Sequence, residues 1–305
     1  MDRVLNFSAG PSTIPLGVLK QAQEELLNYA GHGFSIMEIS HRTKIFEEVL
    51  HSAMDRVRDL YGFSDDFTIL FLQGGASLQF AQVPMNLYAG GVAEYANTGN
   101  WTSKAIKEAG VLGINYRVVA SSEESKFDRI PEVKFSDDAD YGYICSNNTI
   151  YGTAFHGLPN TKGHVLVADQ SSMFLSEPVD VTDFGLIHAG VQKNVGPAGV
   201  QIVIVRDDLI PDDLPGVPTM LRFKTQADAG SLYNTPNCWG IYICGKVFKW
   251  VAGQGGLAGM RARNEEKATK ATKATPRSTG EPRRPARPRS PSRAAGRRRV
   301  ANSAK

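Results

Sequence analysis

Three short stretches of this 305-residue chain set reactive or anion-binding groups beside apolar runs. Gln73-Gly74-Gly75-Ala76-Ser77 follows the run Thr68–Leu72 and precedes a helical pattern that continues through Asn86. Small residues there let backbone N–H groups approach an anion, and a helix start adds partial positive charge, which suits a phosphate. Glycine turns before helices are also common without any ligand. Asp169 closes the segment His164-Val-Leu-Val-Ala-Asp169. An acid so placed can bind a metal, cap the following turn through Ser171 and Ser172, or partner a buried cation. Lys193 lies in Gly190-Val-Gln-Lys-Asn-Val-Gly-Pro-Ala-Gly199, between an apolar strand and a glycine-rich turn. A desolvated lysine near another cation loses proton affinity and attacks carbonyls, whereas a solvated turn lysine does nothing.

Those groups need a frame, and the pattern supplies one. Helical spacing marks Leu16 to Tyr29 and Ile45 to Tyr61. Short apolar runs predict strands at Thr68–Leu72, Val92–Asn97, Tyr141–Cys145, His164–Ala168, Leu186–Ala189 and Val200–Val205. Alternating helices and strands with short glycine breaks predict an α/β protein with a largely parallel sheet. The polar residues above then stand at strand C-terminal ends, where open α/β sheets bind ligands. No internal repeat is visible.

Composition excludes several classes. No run approaches the apolar length of a membrane span. The N-terminal residues lack the layout of a secretory signal. Cys145, Cys238 and Cys244 are widely spaced, outside any metal-binding pattern, so no metal site is expected, and a cytoplasmic setting is. The net charge of +3 conceals an asymmetry: residues 269–305 carry 12 Lys and Arg against one acid, while residues 1–268 carry 22 against 30. An acidic body argues against nucleic acid as the main partner. The last 37 residues hold five prolines and no aromatic, which predicts a disordered basic tail. A tail that touches nucleic acid or acidic lipid is the competing reading.

A phosphate cradle, an acid for a ring nitrogen and a lysine for an aldehyde are together what pyridoxal phosphate requires. The chain also resembles a known family, the phosphoserine aminotransferases of the class V, fold-type I group. The resemblance rests on Asn6-Phe-Ser-Ala-Gly-Pro11, Met37-Glu-Ile-Ser-His-Arg42, Asn97-Thr-Gly-Asn-Trp101, Gln192-Lys-Asn-Val-Gly-Pro197 and Ser231-Leu-Tyr-Asn-Thr-Pro236, and runs to about Ala268. It implies the large domain of fold-type I, a mixed, mostly parallel sheet flanked by helices. It also implies a pyridoxal 5'-phosphate enzyme that moves an amino group between O-phospho-L-serine and 2-oxoglutarate, giving 3-phosphooxypyruvate and L-glutamate. Such an enzyme serves serine and sometimes pyridoxine synthesis.

By the same resemblance Lys193 joins the cofactor aldehyde and later shuttles a proton, and Asp169 keeps the pyridine nitrogen protonated. Trp101 stacks on the ring, although a lone Trp is more often a core aromatic. Thr149 hydrogen-bonds the cofactor; Ala76, Ser77 and Gln192 contact its phosphate. Asn234 and Thr235 reach that phosphate from a second subunit, which implies a homodimer with shared active sites. His41 and Arg42 bind the substrate phosphate, where a guanidinium fork suits the ester; an ion pair with Glu47 or Glu48 at the helix start is the alternative. Ala76-Ser77-Leu78 departs from members that carry Gly or Arg there.

The match continues through Gly259-Met-Arg-Ala-Arg-Asn-Glu-Glu-Lys267 and then stops. Residues 1–268, with an N-terminal arm over 1–15, are therefore expected to form the large domain, and 269–305 the tail. Family members carry a small C-terminal domain whose arginine holds the substrate carboxylate, and no tail arginine aligns with it. That leaves three alternatives: a catalytically weak or inactive cofactor-binding remnant, another class V aminotransferase such as an alanine–glyoxylate enzyme, or a basic-tailed nucleic-acid binder.

Overall fold

The computed structural model describes residues 3–274. The chain divides into two compact units, Met1–Glu265 and Glu266–Lys305. The first unit opens with an extended arm. After it come α1 (Leu16–Glu24), α2 (Lys44–Tyr61), β1 (Phe67–Leu72), α3 (Gly75–Leu87), β2 (Val92–Asn97), α4 (Asn100–Val111) and β3 (Tyr116–Ser121). Next are β4 (Ala139–Cys145), the short pair β5 (Asn147–Asn148) and β6 (Thr153–Ala154), β7 (Val165–Asp169), β8 (Leu186–Gly190) and β9 (Gln201–Arg206). The last elements are α5 (Phe223–Asp228), α6 (Cys238–Gly253) and α7 (Gly256–Ala274).

The main sheet has seven strands in the order β1-β9-β8-β7-β4-β2-β3. Neighbours from β8 to β3 pair in parallel, and β9 runs antiparallel to both β8 and β1. The sheet is mixed and mostly parallel, the parallel majority being what the strand–helix alternation predicts. Both faces are covered, so the central strands read as continuous apolar runs without polar alternation. One core contains Phe46, Leu50, Val57, Ile204, Ile243 and Phe248, from α2, β9 and α6. The other contains Phe80, Val83, Ala105, Tyr143, Val167 and Val203, from α3, α4 and the opposite sheet face.

Most predicted elements fall within a residue or two of the observed ones, with three differences. The first helix stops at Glu24 where the periodicity extended it to Tyr29; Leu27, counted in that stripe, is 83% exposed. Asp169 belongs to β7 as its last residue and is not the start of a loop. The helix α7 continues past Ala268 to Ala274, so the tail expected to be disordered from 269 opens with helix. The reason is local: Ala268-Thr-Lys-Ala-Thr-Lys-Ala274 contains no breaker, and Pro276 is the first proline after it. The rest of that tail lies outside the described residues. No described helix is long and apolar enough to cross a membrane.

Candidate active site

A cleft of about 500 Å³ opens at the C-terminal ends of the strands, lined by Gly10, Trp101, Asp169, Gln192 and Lys193 and by the turn from Gly74 to Ser77. Apart from Gly10, which belongs to the N-terminal arm, the walls come from different strand ends. The turn after β1 is Gln73-Gly74-Gly75, where both glycines take the left-handed backbone (φ 88° and 64°) that a side chain disfavours. That bend aims the start of α3 into the cleft, where its first N–H groups have no acceptor within the helix. Ala76 and Ser77 sit in that first turn. The turn after β2 starts α4 and presents Trp101, with Lys104 Nζ 4.6 Å from its ring centroid.

Asp169 ends β7 and is 3% exposed. Its Oδ1 accepts both Ser171 N–H (2.9 Å) and Ser171 Oγ–H (2.6 Å), while no donor among the described residues meets its Oδ2. The turn-capping bonds therefore all fall on one oxygen of a carboxylate that lines the cleft. Ser171 Oγ in turn accepts the N–H of Gly190, tying Asp169 to the end of the next strand (3.0 Å).

Lys193 follows β8, half-buried. Among the described residues no carboxylate lies within ion-pair distance of its amine. Its loop is fixed on three sides. Ser12 N–H donates to Gln192 O (2.9 Å), and Ser12 Oγ donates to Lys193 O. Asn194 Nδ2 donates to Phe174 O (2.8 Å). Gly196 packs so closely on α6 that a Cβ there would stand 2.9 Å from Cys244 Sγ.

Behind Asp169 lies a sealed polar row. His188, its cross-strand neighbour in β8, is wholly buried. Tyr143 OH stands 2.9 Å from His188 Nε2, and Gln201 Nε2 stands 3.3 Å from Nδ1. Burial pushes His188 below its ordinary value, with the charge of Asp169 opposing. Burial raises the Tyr143 phenol and the Cys145 thiol well above theirs, and Asp169 adds to both. Burial thus favours the neutral forms of the three side chains packed behind Asp169.

Sequence reasoning missed Gly10, Ser12 and His188, while Ser171 is the capping partner it offered for Asp169. Gly10 lies in a stretch quoted only as a resemblance marker, Ser12 just beyond it, and His188 inside a strand read as apolar.

The Aminotransferase class-V family profile matches residues 4–281. A phosphoserine aminotransferase of Campylobacter jejuni subsp. doylei is 53% identical over 268 residues, spanning 88% of this chain and 75% of that protein. The chain belongs to the phosphoserine aminotransferase family. Among solved structures of that family, the Bacillus circulans subsp. alkalophilus protein superposes with a TM-score of 0.85 at 45% identity, covering 88% of this chain and 75% of its own. The protein of Trichomonas vaginalis, described as PLP-bound, gives a TM-score of 0.85 at 38% identity over 89% and 82%.

Five of the residues expected in a phosphoserine aminotransferase site are outside the cleft of their own chain. Thr149 is exposed, its Oγ1 2.7 Å from Ser172 Oγ, one residue beyond the cleft wall at Ser171. Asn234 lines a separate pocket beside Phe71 and Gln73, and Thr235 O accepts Gln73 Nε2 (2.8 Å). His41 is 8% exposed, with Nε2 lacking any partner among the described residues. Arg42 is exposed and forms no ion pair among the described residues, so the helix-start pairing with Glu47 or Glu48 is absent.

Proposed function

We propose that this chain binds pyridoxal phosphate in the cleft and transfers an amino group between O-phospho-L-serine and 2-oxoglutarate, in serine synthesis. What carries the reading is the unpaired Lys193 amine sharing one cleft with the free oxygen of Asp169 and the bare N-terminus of α3. The residues fit the group: an amine for its aldehyde, an acceptor for its ring N–H, helix N–H groups for its phosphate, and an indole for its face. Bound there, pyridoxal phosphate supplies an electron sink for the negative charge left on the substrate α-carbon when its proton is removed.

Lys193 would hold the group by its aldehyde, and as a free amine would take up and return the proton at the substrate α-carbon. Asp169 Oδ2 would accept the ring N–H and hold that proton in place; Ser171 fixes the carboxylate by its other oxygen. The α3 N–H groups, with Ala76, Ser77 and Gln192, would bind the cofactor phosphate. Trp101 would shield one ring face from water, and Thr149 would hydrogen-bond the cofactor from the cleft's edge.

His41, Arg42, Asn234 and Thr235 would complete the cleft of a second copy, making the active unit a homodimer. An exposed guanidinium with no carboxylate partner is what recognition of a phosphate ester needs. Residues 1–268 would form the catalytic domain, with 269–305 as an appended tail, and the enzyme would work in the cytoplasm.

Visible absorbance tests the reading. Purified protein mixed with pyridoxal phosphate should gain a protein-bound band that is absent in Lys193→Ala. O-phospho-L-serine should bleach it, and L-alanine should not. No band in the native protein would overturn the cofactor assignment, and a band indifferent to phosphoserine would overturn the substrate.

A further inference from the structure

The N-terminal arm reaches into the cleft at Gly10 and Pro11, and the glycine is the residue that meets the lysine. A Cβ built on Gly10 would stand 2.6 Å from Lys193 Cδ, 2.8 Å from Nζ and 2.9 Å from Cε. All three of its nearest neighbours belong to the lysine side chain, at separations that real Cβ atoms do not show. Gly10 is not in the left-handed region, so its backbone does not require glycine. The requirement comes from the amine. Two residues on, Ser12 holds the same loop through Gln192 O and Lys193 O. The arm therefore fixes the lysine backbone with Ser12 and leaves a side-chain-free niche for its tip at Gly10.

We propose that Gly10 is a positioning residue: the space it leaves empty is the seat of the free Lys193 amine. This rests on the reading of Lys193 as the reactive amine. A proton carrier must have a defined place to stand while it is not bonded to the aldehyde, and a 1 Å misplacement of a reacting group costs up to about 10²-fold in rate. Packed against backbone, the aliphatic stem loses rotamer freedom and the Nζ is kept at the cleft wall.

The clash in Gly10→Ala falls on the far end of a flexible side chain, so the fold survives and the amine moves. The first readout uses cofactor-free protein: acetylation of each lysine by a water-soluble amine-reactive ester, followed by mass spectrometry. Lys193 should label several-fold faster in Gly10→Ala, with the other lysines as internal controls. Uptake of pyridoxal phosphate should slow, and kcat should fall about 10- to 100-fold with little change in KM. Unchanged Lys193 labelling in folded Gly10→Ala overturns the proposal. Should that variant not fold, the native protein decides: a nuclear Overhauser contact between Gly10 Hα and the Lys193 side chain is expected, and its absence overturns the niche. Labelling needs no cofactor, so its outcome stands apart from whether the cofactor reading holds.

Discussion

Two lysines of this chain line cavities of similar scale and have opposite fates. Lys246, on α6, faces a cavity of about 320 Å³ with Arg56, Lys249 and Glu48. Its Nζ donates to both Glu25 oxygens at 2.8 Å and lies 4.9 Å from the Tyr242 ring centroid. Tyr242 OH donates to the same carboxylate at 2.6 Å. Glu25, Lys246 and Tyr242 thus satisfy one another, and the result joins α1 to α6. Lys193 has neither carboxylate nor ring among the described residues; its neighbours are a glycine and open cleft. The difference teaches that charge near a cavity does not make a reactive site. An amine left unpaired, in a loop whose backbone is fixed on three sides, is the better candidate for one.

Exchanging the treatment of the two lysines gives the largest expected effect. Lys193→Ala should lower turnover by at least about 10²–10⁴-fold, the contribution of a positioned acid–base group, with little loss of stability. Lys246→Ala should leave kcat near native and cost about 1–3 kcal/mol in urea unfolding, because it strips a charged partner from a mostly buried Glu25. A folded Lys246→Ala enzyme that lost as much turnover as Lys193→Ala would break the comparison.

A middle-sized effect concerns His188, which is buried like Lys246's corner yet sits against the reactive one. Its folded value lies below the ordinary 6.5 because burial disfavours the charged ring. As pH falls through 6.5, the unfolded chain takes up a proton that the folded chain refuses, so the folded state loses stability on that side. Urea midpoints followed between about pH 5 and 8 should therefore fall toward acid in the native protein. In His188→Gln, which keeps a hydrogen-bonding side chain there, the acid slope should shrink by up to about 1.4 kcal/mol per pH unit. An identical slope in both proteins would mean the ring does not stay neutral.

Much of this site was legible because its parts obey local rules. The strands β1, β7 and β8 are short apolar runs, and the residues at or just past their ends stand where such sheets bind ligands, so Gly74, Asp169 and Lys193 announced themselves by position. Gly10, by contrast, is distant in sequence from Lys193, and the niche exists only once the arm folds back. The helix α6, apolar except at Lys246 and Lys249, escaped notice because a helix buried over most of its surface shows little amphipathic period. The strand β3 escaped for the opposite reason: at the sheet edge, it exposes Tyr116 and Val118 and alternates poorly. His41 and Arg42 remain separate from the cleft in one chain, and no local pattern could say what they face.

The smallest effect sharpens the structural side of the comparison. Burial alone would raise the Glu25 carboxyl, but hydrogen bonds from Lys246 and Tyr242 outweigh it and hold the carboxyl below its ordinary 4.5. A lowered carboxyl contributes stability that is fully present above pH 4.5 and is lost as pH falls through the folded value. Tyr242→Phe removes one donor and keeps the ring under Lys246, so it should cost about 1 kcal/mol at neutral pH, less than Lys246→Ala. That cost should disappear once acid has protonated Glu25 in both folded and unfolded chains. If the cost persists in acid, Tyr242 stabilises the corner by packing and not through the carboxylate. The saturation that separates Lys246 from Lys193 would then belong to the ion pair alone.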